Sequence, residues 1–459
     1  MRNVDVQTRQ DYQAPLRQLG VVHVSAVFVG TVIGAGIFMN VPIVARTMGD
    51  PWFAALAWLL GGFLWLPAVF ILAEMGTAFP EQGGAYRYLE RAGWRPCAFL
   101  YGWIAFLAVD TLVVSLISLL AASELDELIS RVGIPFPTRS AVASGLILIF
   151  TFIQYRNVKQ GASLQVVLSL LKFVPFAILI IFAIYLLGFE QGARELSPPQ
   201  VYGTIFNVLP AGVAATVLAY SGFFNTLYMA GEIRDPQYVL PKSLVGSLFV
   251  VIATYMLVVI SIQAIAPFSV IQDVEEGKLI NPFAFVPFVG SHAVSAFNII
   301  IFCTLVGVLN AALMAQPRLP YAMARDGLFF QKFGVLHSRH GTPHTALFLQ
   351  AGLAIVMCIA FGERVEELLG YFTAAYGLQN ALLFSSIFAL RRKPNYNPQF
   401  QVKFWPIVAI LAICFQLLIA VSVLDVRSGL TAIGLGLLGI SIYFIFVKRF
   451  ADRSFDRKE

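Results

Sequence analysis

Apolar runs of about 20 residues recur from Val21 to the region of Phe450, and each is long enough to cross a hydrocarbon core about 30 Å thick as a helix. Twelve can be drawn, near 20–45, 52–79, 97–122, 138–155, 163–187, 204–231, 242–267, 291–315, 343–361, 367–390, 403–424 and 428–448. A secretory signal would be one short apolar segment behind a basic start, followed by a polar chain, so this pattern predicts a multi-pass membrane protein. Composition agrees: 58% hydrophobic residues, 12% charged and 40 Phe exceed what a soluble chain of 459 residues carries. The expected fold class is an all-α polytopic membrane protein with twelve transmembrane helices.

The basic residues follow topology. With the N-terminus placed in the cytoplasm, 23 of the 31 Lys and Arg fall on the inner side. Arg46, Arg131, Arg139, Arg194, Lys278, Arg364 and Arg427 fall outside, a bias that matches the positive-inside rule. An even number of spans then puts both termini in the cytoplasm. The same distribution excludes nucleic acid, since the basic residues lie between hydrophobic spans instead of clustering on a polar face. The outward connection 266–290 carries Asp273, Glu275 and Glu276 and is expected to hold a short helical element, not a domain.

Lys172 is the only charge in the run from Leu164 to Leu187. A Lys at the centre of a membrane helix costs about 2.5–3.5 kcal/mol on insertion scales, so a partner or a wet cavity is expected. Two other spans are interrupted by small residues. The first contains Gly30-Thr-Val-Ile-Gly34-Ala-Gly36-Ile-Phe, and the sixth contains Ala219-Tyr-Ser-Gly222-Phe-Phe-Asn225. Glycine lowers helix propensity by about 1 kcal/mol relative to Ala, and a backbone group freed in lipid must find another partner. Either close helix packing through Gly30 and Gly34 or a bound ligand accounts for one such break. The pair says more. The breaks lie about 187 positions apart, and the second and seventh spans repeat at nearly the same offset, drifting upward to about 204 for the fifth and tenth. Five helices per repeat force the second copy to enter from the opposite side, the inverted arrangement of transporters whose broken helices meet at a midplane site. Half-helix amide ends there face anions and loose carbonyls face cations, a match for an α-amino acid.

By its motifs the chain resembles the amino acid-polyamine-organocation transporter superfamily, over nearly all of its length. Gly30 to Phe38 looks like the first-helix signature, and Ala73-Glu-Met-Gly-Thr-Ala-Phe-Pro-Glu-Gln-Gly-Gly-Ala-Tyr86 looks like the signature ending the second helix. Gly231-Glu-Ile-Arg-Asp-Pro236 with Leu240-Pro241, and Arg318-Leu-Pro-Tyr-Ala-Met-Ala-Arg-Asp-Gly327, resemble those after the sixth and eighth helices. Pro398-Gln-Phe-Gln-Val-Lys-Phe-Trp-Pro406 resembles the loop before the eleventh helix in bacterial members and L-type amino acid exchangers. The resemblance implies the leucine-transporter fold, a 5+5 inverted repeat followed by two helices. The expected organisation is a cytoplasmic segment 1–19, repeats 20–190 and 200–395, helices eleven and twelve over 400–450, and a cytoplasmic tail 451–459. It implies a sodium-independent secondary transporter of amino acids or related amines working by alternating access, nearest to bacterial L-type exchanger-like permeases. The other reading within this class is a proton-coupled symporter of cationic amino acids or polyamines.

The resemblance also assigns residues. Amides of Gly34, Ala35 and Gly36 are expected to receive the substrate carboxylate, and carbonyls of Val32, Leu218, Ala219 and Ser221 its ammonium. Many relatives carry an aromatic lid at the Leu218 position; with that lid missing, Tyr220, Phe223 and Phe224 are the gating candidates, against a packing role for each. Lys172 matches a fifth-helix lysine whose ammonium takes the place of sodium and bridges the broken first helix to the eighth. It is expected to serve as a permanent strut in an exchanger or as a titrating site in a proton-coupled carrier. Asp110, the second intramembrane charge, sits at a register resembling a substrate-facing position of arginine/agmatine exchangers. Recognition of a cationic side chain, pairing with Lys172 and proton carriage all remain open for it.

Glu74, Glu232, Arg234, Asp235, Arg325 and Asp326 read as gate or loop salt bridges. His337, His340 and His344 lie in a predicted cytoplasmic loop without Cys or paired carboxylates, so they read as solvated residues and not as a metal cluster. Cys97, Cys303, Cys358 and Cys414 lack metal-ligand spacing and read as packing residues. No phosphate loop, Ser-His-Asp arrangement or catalytic carboxylate pair occurs, so neither an enzyme nor ATP-driven transport is expected, and no cofactor or metal. A channel or transporter-like sensor is the distant alternative; a channel needs a continuous polar pore, and a sensor a signalling tail longer than the segment after Lys448. The expected partners are a small-molecule substrate and the lipid bilayer of a bacterial inner membrane. No Asn-x-Ser/Thr sequon and no cysteine in a clear outer loop point to an obligatory partner subunit.

Overall fold

The computed structural model describes residues 17–34, 36–130, 137–156, 158–188, 205–275, 278–286, 290–362, 365–422 and 439–444. Among them every regular element is a helix, and extended backbone pairs at a single parallel bridge between Leu19 and Ile233. The first half runs through α1 (Val21–Val32), α2 (Gly36–Met48), α3 (Pro51–Phe63), α4 (Leu66–Ala78), α5 (Ala85–Arg91), α6 (Arg95–Ile104), a π-helix (Ala105–Asp110), α7 (Thr111–Ser130), α8 (Arg139–Arg156), α9 (Val158–Leu171) and α10 (Phe173–Gly188). The second half holds α11 (Ile205–Tyr220), α12 (Phe224–Tyr228), α13 (Pro236–Ile265), α14 (Phe268–Gln272), α15 (Ser291–Ala315), α16 (Arg318–Arg325), α17 (His344–Phe361), α18 (Val365–Leu390) and α19 (Trp405–Ser422).

Among the described residues six helical stretches are long and apolar enough to cross a membrane: Pro51–Ala78, Arg95–Ser130, Gly161–Gly188, Pro236–Ile265, Val294–Arg325 and His344–Phe361. They coincide with the second, third, fifth, seventh, eighth and ninth predicted runs. The first run is a bent pair, α1 and α2, meeting at 46°. The sixth divides into α11 and the short α12; the fourth, tenth and eleventh are α8, α18 and α19, and the twelfth lies almost wholly outside the described residues. Apolar faces point outward as a lipid-embedded chain requires: Ile181 and Ile184 on α10 are 67% and 64% exposed, a row that water would penalise. The connection after α13 holds α14 and a 3-10 turn, as expected of it, and is tied to α2 by the Ile280 amide on the Phe38 carbonyl at 3.0 Å and by Gln272 on the Ala45 carbonyl at 3.1 Å.

Local chemistry sets the breaks. Asp50 caps α3, its carboxylate accepting from the Trp52 and Phe53 amides at 2.8 and 3.0 Å, with Pro51 at the first helical position, where its missing N–H costs nothing. Between α9 and α10 the helix is interrupted at Lys172, because Pro175 has no N–H to give the Leu171 carbonyl four residues back. In packing, α1 lies on α9 and α13, α11 lies on α2 and α3, α7 on α15, and α18 on α19. The two broken elements therefore sit side by side in the middle of the bundle.

The motif loops converge at one end of the bundle. The buried Glu232 carboxylate accepts from Arg318 Nε at 2.6 Å and Nη2 at 3.0 Å and from Gln82 at 2.8 Å, joining the segments after α4, α12 and α15. Asp326 accepts from Arg87 and from the Tyr86 hydroxyl at 3.0 Å; burial, with the Asp326 carboxylate beside it, pushes that hydroxyl well above the ordinary phenol range. Glu74 is fully buried and saturated: Arg391 Nε at 2.7 Å, the Tyr396 hydroxyl at 3.0 Å and the Val402 amide at 2.7 Å all donate to it, pinning the loop before α19 to α4. Of the residues read from the sequence as gate or loop salt bridges, Glu74, Glu232 and Asp326 are thus staples between distant motifs, whereas Arg234 donates to the Gln18 carbonyl and Arg325 to the Tyr321 hydroxyl.

Candidate functional site

Each broken helix ends at the other. Ile33 leaves the α-helical region with ψ at 100°, and its amide still closes α1 on the Val29 carbonyl at 2.8 Å. On the other side α11 ends at Tyr220, and Gly222 takes φ of +110°, open to glycine but not to L side chains. A Cβ on Gly222 would lie 2.7 Å from the Thr31 carbonyl oxygen, and one on Gly36 would lie 2.9 Å from Ala219 Cα. The small residues therefore give the close packing raised by the sequence: they let the two breaks touch, and the cavity lies beside that contact.

The cavity is lined from the first break by Thr31, Val32, Gly34 and Gly36, and from the second by Ser221, Gly222, Phe224, Asn225 and Tyr228. Tyr101, Val109, Asp110, Val113, Leu116, Ile117 and Leu120 form the wall from α6, the π-helix and α7, and Val308, Ala312, Gln316, Tyr376 and Gln379 complete it from α15, its C-terminal edge and α18. Of the residues expected at a substrate site, Val32, Gly34, Gly36, Asp110 and Ser221 come together here. Ala219 lies behind the wall against Gly36. Ala35 and the Leu218 side chain lie outside what is described.

The three gating candidates part company. Phe224 faces the cavity, with its ring edge-on to Tyr376 at 5.6 Å. Phe223 is fully buried between Phe28, at 5.6 Å, and Trp65, at 5.1 Å. Tyr220 is likewise buried, its hydroxyl donating to the Trp58 carbonyl at 2.9 Å.

Lys172 is 1% exposed and lies behind the first break. Its Nζ donates to the Gly30 carbonyl at 2.5 Å and to the Ile33 carbonyl at 2.8 Å. Both acceptors are orphaned by the end of α1, since the last carbonyls of a helix lack intrahelical partners. The expected bridge to the eighth span takes the form of packing: a Cβ on Gly307 of α15 would meet Lys172 Cε at 2.7 Å. Below Lys172, Ser169 donates to the Ala26 carbonyl at 2.8 Å, and Gln165 accepts from Asn310 at 2.7 Å, so the same face of α9 joins α1 to α15.

Asp110 sits at the end of the π-helix, a wider turn of a kind frequent at functional sites. The turn is marked by Thr111 donating to the Phe106 carbonyl, five residues back, at 2.6 Å. The Asp110 carboxyl meets the Tyr228 hydroxyl of α12, not Lys172. Pairing with Lys172, one of the three readings left open by the sequence, does not occur in this arrangement.

Tyr255 of α13 is a candidate site residue that sequence reasoning missed. Its hydroxyl lies 2.9 Å from the Val32 carbonyl and 2.9 Å from the Ala219 carbonyl, one from each break. A phenol carries one proton, so it satisfies one of these carbonyls at a time and the other is open to a second donor. No periodicity signal distinguishes it, because a tyrosine in an apolar span reads as packing.

His337, His340 and His344 are partly exposed and pack on one another: His337 Nε2 is 3.0 Å from the Tyr155 hydroxyl and its ring stacks on His340 at 4.6 Å. No group of metal-binding side chains occurs among the described residues. The four cysteines are free; Cys358 is buried and Cys414 exposed.

Against known proteins, the profile of the amino acid permease family matches residues 19–441. The serine/threonine exchanger SteT of Bacillus subtilis is 27% identical over 442 residues, covering 95% of this chain and 98% of its own. The methylthioribose transporter of the same organism is 29% identical, covering 94% of each chain. The human cystine/glutamate transporter is 26% identical over 92% of this chain and 83% of its own.

Proposed function

The chain belongs to the amino acid permease family, and on that premise we propose that it is a sodium-independent secondary transporter that carries amino acids by alternating access. The family is one of transporters, not enzymes. The observation that carries the proposal is the meeting of two broken helices at one cavity, with a buried ammonium already seated on the carbonyls of the first. The amides at Gly34 to Gly36 receive the substrate carboxylate, in the field of the α2 N-terminus. The ammonium goes to carbonyls of Val32, Leu218, Ala219 and Ser221, at the cluster where Tyr255 leaves one acceptor short. Lys172 supplies the positive charge that a sodium ion would bring to the break, as a fixed strut. Phe224 is the aromatic that closes over the substrate in place of a lid at Leu218.

In this reading the chain has twelve spans in the leucine-transporter fold, two inverted five-helix repeats and two further helices, in the plasma membrane with both termini cytoplasmic. The Glu232–Arg318 and Arg87–Asp326 pairs then lie at the cytoplasmic end and close it. Their remaking in the other state biases the cycle, since a state is favoured only by interactions it makes differently. The protein works without a partner subunit, exchanging small molecules as the serine/threonine exchanger of Bacillus subtilis does by name.

Initial uptake rates in proteoliposomes test the coupling: rates in sodium and in choline should agree, and an absolute sodium requirement contradicts the role given to Lys172. The same assay reads the site. Tyr255→Phe removes one hydrogen bond of about 0.5–1.5 kcal/mol, so KM should change about 2- to 10-fold. An unchanged KM with unchanged maximal rate moves the substrate away from the breaks.

A further inference from the structure

The turn before α17 is folded around one ring nitrogen. His337 Nδ1 accepts from the Arg339 amide at 3.2 Å and from the His340 amide at 3.3 Å, so it carries no proton. The ring's one N–H is then on Nε2 and donates to the Tyr155 hydroxyl at 3.0 Å. Backbone bonds close the same turn, from the His337 amide to the Thr342 carbonyl and from the Gly341 amide to the His337 carbonyl, both at 2.8 Å. Thr342 Oγ1 donates to the Tyr155 carbonyl at 3.1 Å, which fastens the segment before α17 to the last turn of α8. Thr342 and Pro343 also share a small cavity with Arg318, the guanidinium that holds Glu232. The turn is therefore packed against the staple that joins the motif loops.

A proton on Nδ1 ends this arrangement. An imidazolium is a donor at both nitrogens, so both amide bonds are lost. The new charge stands beside two more imidazoles, with ring centroids of His340 at 4.6 Å and His344 at 5.2 Å. No carboxylate answers it: α8, α16, α17 and residues 327–343 contain none, and Asp326 is held by Arg87 and Tyr86. The charged groups at this end are Arg156 beside Tyr155, Arg318 and Arg325 on α16, Lys332 in the 3-10 turn Gln331–Gly334 and Arg339 in the turn itself, all cations. His337 is partly exposed, so water reaches it, and histidine changes charge between about pH 5 and 8. We propose that the His337 turn is a clamp released by protons, closed while the ring is neutral and open once it is charged. Its effect on exchange rests on the transport reading, in which the Glu232–Arg318 pair closes the cytoplasmic end. Acid on that side then loosens the packing behind Arg318 and speeds opening, because the proton binds the released state better than the clamped one.

His337→Asn separates the proton from the turn, since an Asn Oδ1 accepts from the amides that follow it, as in an Asx turn, and does not titrate. Hydrogen exchange of the purified full chain, each rate divided by its intrinsic value at that pH, reads the clamp directly. The Arg339 and His340 amides should be about tenfold less protected at about pH 5.5 than at about pH 7.5, and equally protected at both in His337→Asn. Serine counterflow in proteoliposomes, with the same pH on both faces, should run about threefold faster at the acid pH in the wild type and show a ratio near one in His337→Asn. Using ratios keeps the result independent of how much variant protein folds. Wild-type protection indifferent to pH, or lost equally in His337→Asn, would overturn the clamp. Protection that changes as expected while the two proteins share one pH ratio of counterflow would overturn its link to exchange. If no amino acid moves at either pH, the transport reading fails, and the exchange of the two amides still decides the clamp.

Discussion

Lys172→Ala is expected to lower amino acid exchange at least tenfold while the protein remains folded enough to purify. The substitution strips two donors from the Gly30 and Ile33 carbonyls, both buried at the end of α1. Each orphaned acceptor costs about 1–3 kcal/mol, and about 1.4 kcal/mol in the working geometry is already a factor of ten. Arginine should not rescue, because the planar guanidinium is bulkier than an ammonium and Gly307 leaves no room beside Lys172 Cε. Gly307→Ala approaches the same point from the other side: its Cβ would stand 2.7 Å from Cε, so exchange should fall without any change of charge. Uptake by Lys172→Ala at the wild-type rate removes the strut from the mechanism.

Arg318→Ala is expected to produce the largest loss of stability. Glu232 and Arg318 are each about 5% exposed, and their two hydrogen bonds join segments 86 residues apart. Removing the guanidinium leaves a buried carboxylate with Gln82 as its remaining side-chain donor, and such an uncompensated charge costs about 3–5 kcal/mol. A thermal melt in detergent should fall by several degrees. Arg318→Ala combined with Glu232→Gln should recover part of the loss, since the second change removes the stranded charge. A melt unmoved by Arg318→Ala means the pair is no staple of this state. The Arg91–Glu81 pair, which is 40% and 32% exposed, supplies the contrast: breaking it should cost about 0–1 kcal/mol.

The helical architecture and the place of the candidate site were legible because lipid restricts the options. A span must be long, apolar and internally hydrogen-bonded, so Gly34, Gly36 and Gly222 stand out as interruptions with a purpose, and Lys172 as a charge needing a partner. What stayed hidden depends on contacts between distant segments. Tyr255 reaches Val32, 223 residues away, and nothing in its own helix marks it. The π-helix has no sequence signal in Ala-Phe-Leu-Ala-Val-Asp, yet it sets the direction of Asp110. The loop charges were visible as charges, but their partners lie up to 328 residues apart, as for Glu74 and the Val402 amide, and pairing at that separation is decided by the fold. Sequence register likewise placed Tyr220 and Phe223 beside the break without telling packing from cavity; burial against Trp58 and Trp65 does.

Counterflow tests the central claim most directly. Vesicles containing the protein and millimolar unlabelled amino acid, diluted into sodium-free medium with a trace of labelled amino acid, should accumulate label transiently above equilibrium. The rate should saturate with external concentration and depend on internal substrate. Label entering at a rate linear in concentration and indifferent to the vesicle contents would describe a pore, and would contradict a site alternately opened at the two helix breaks.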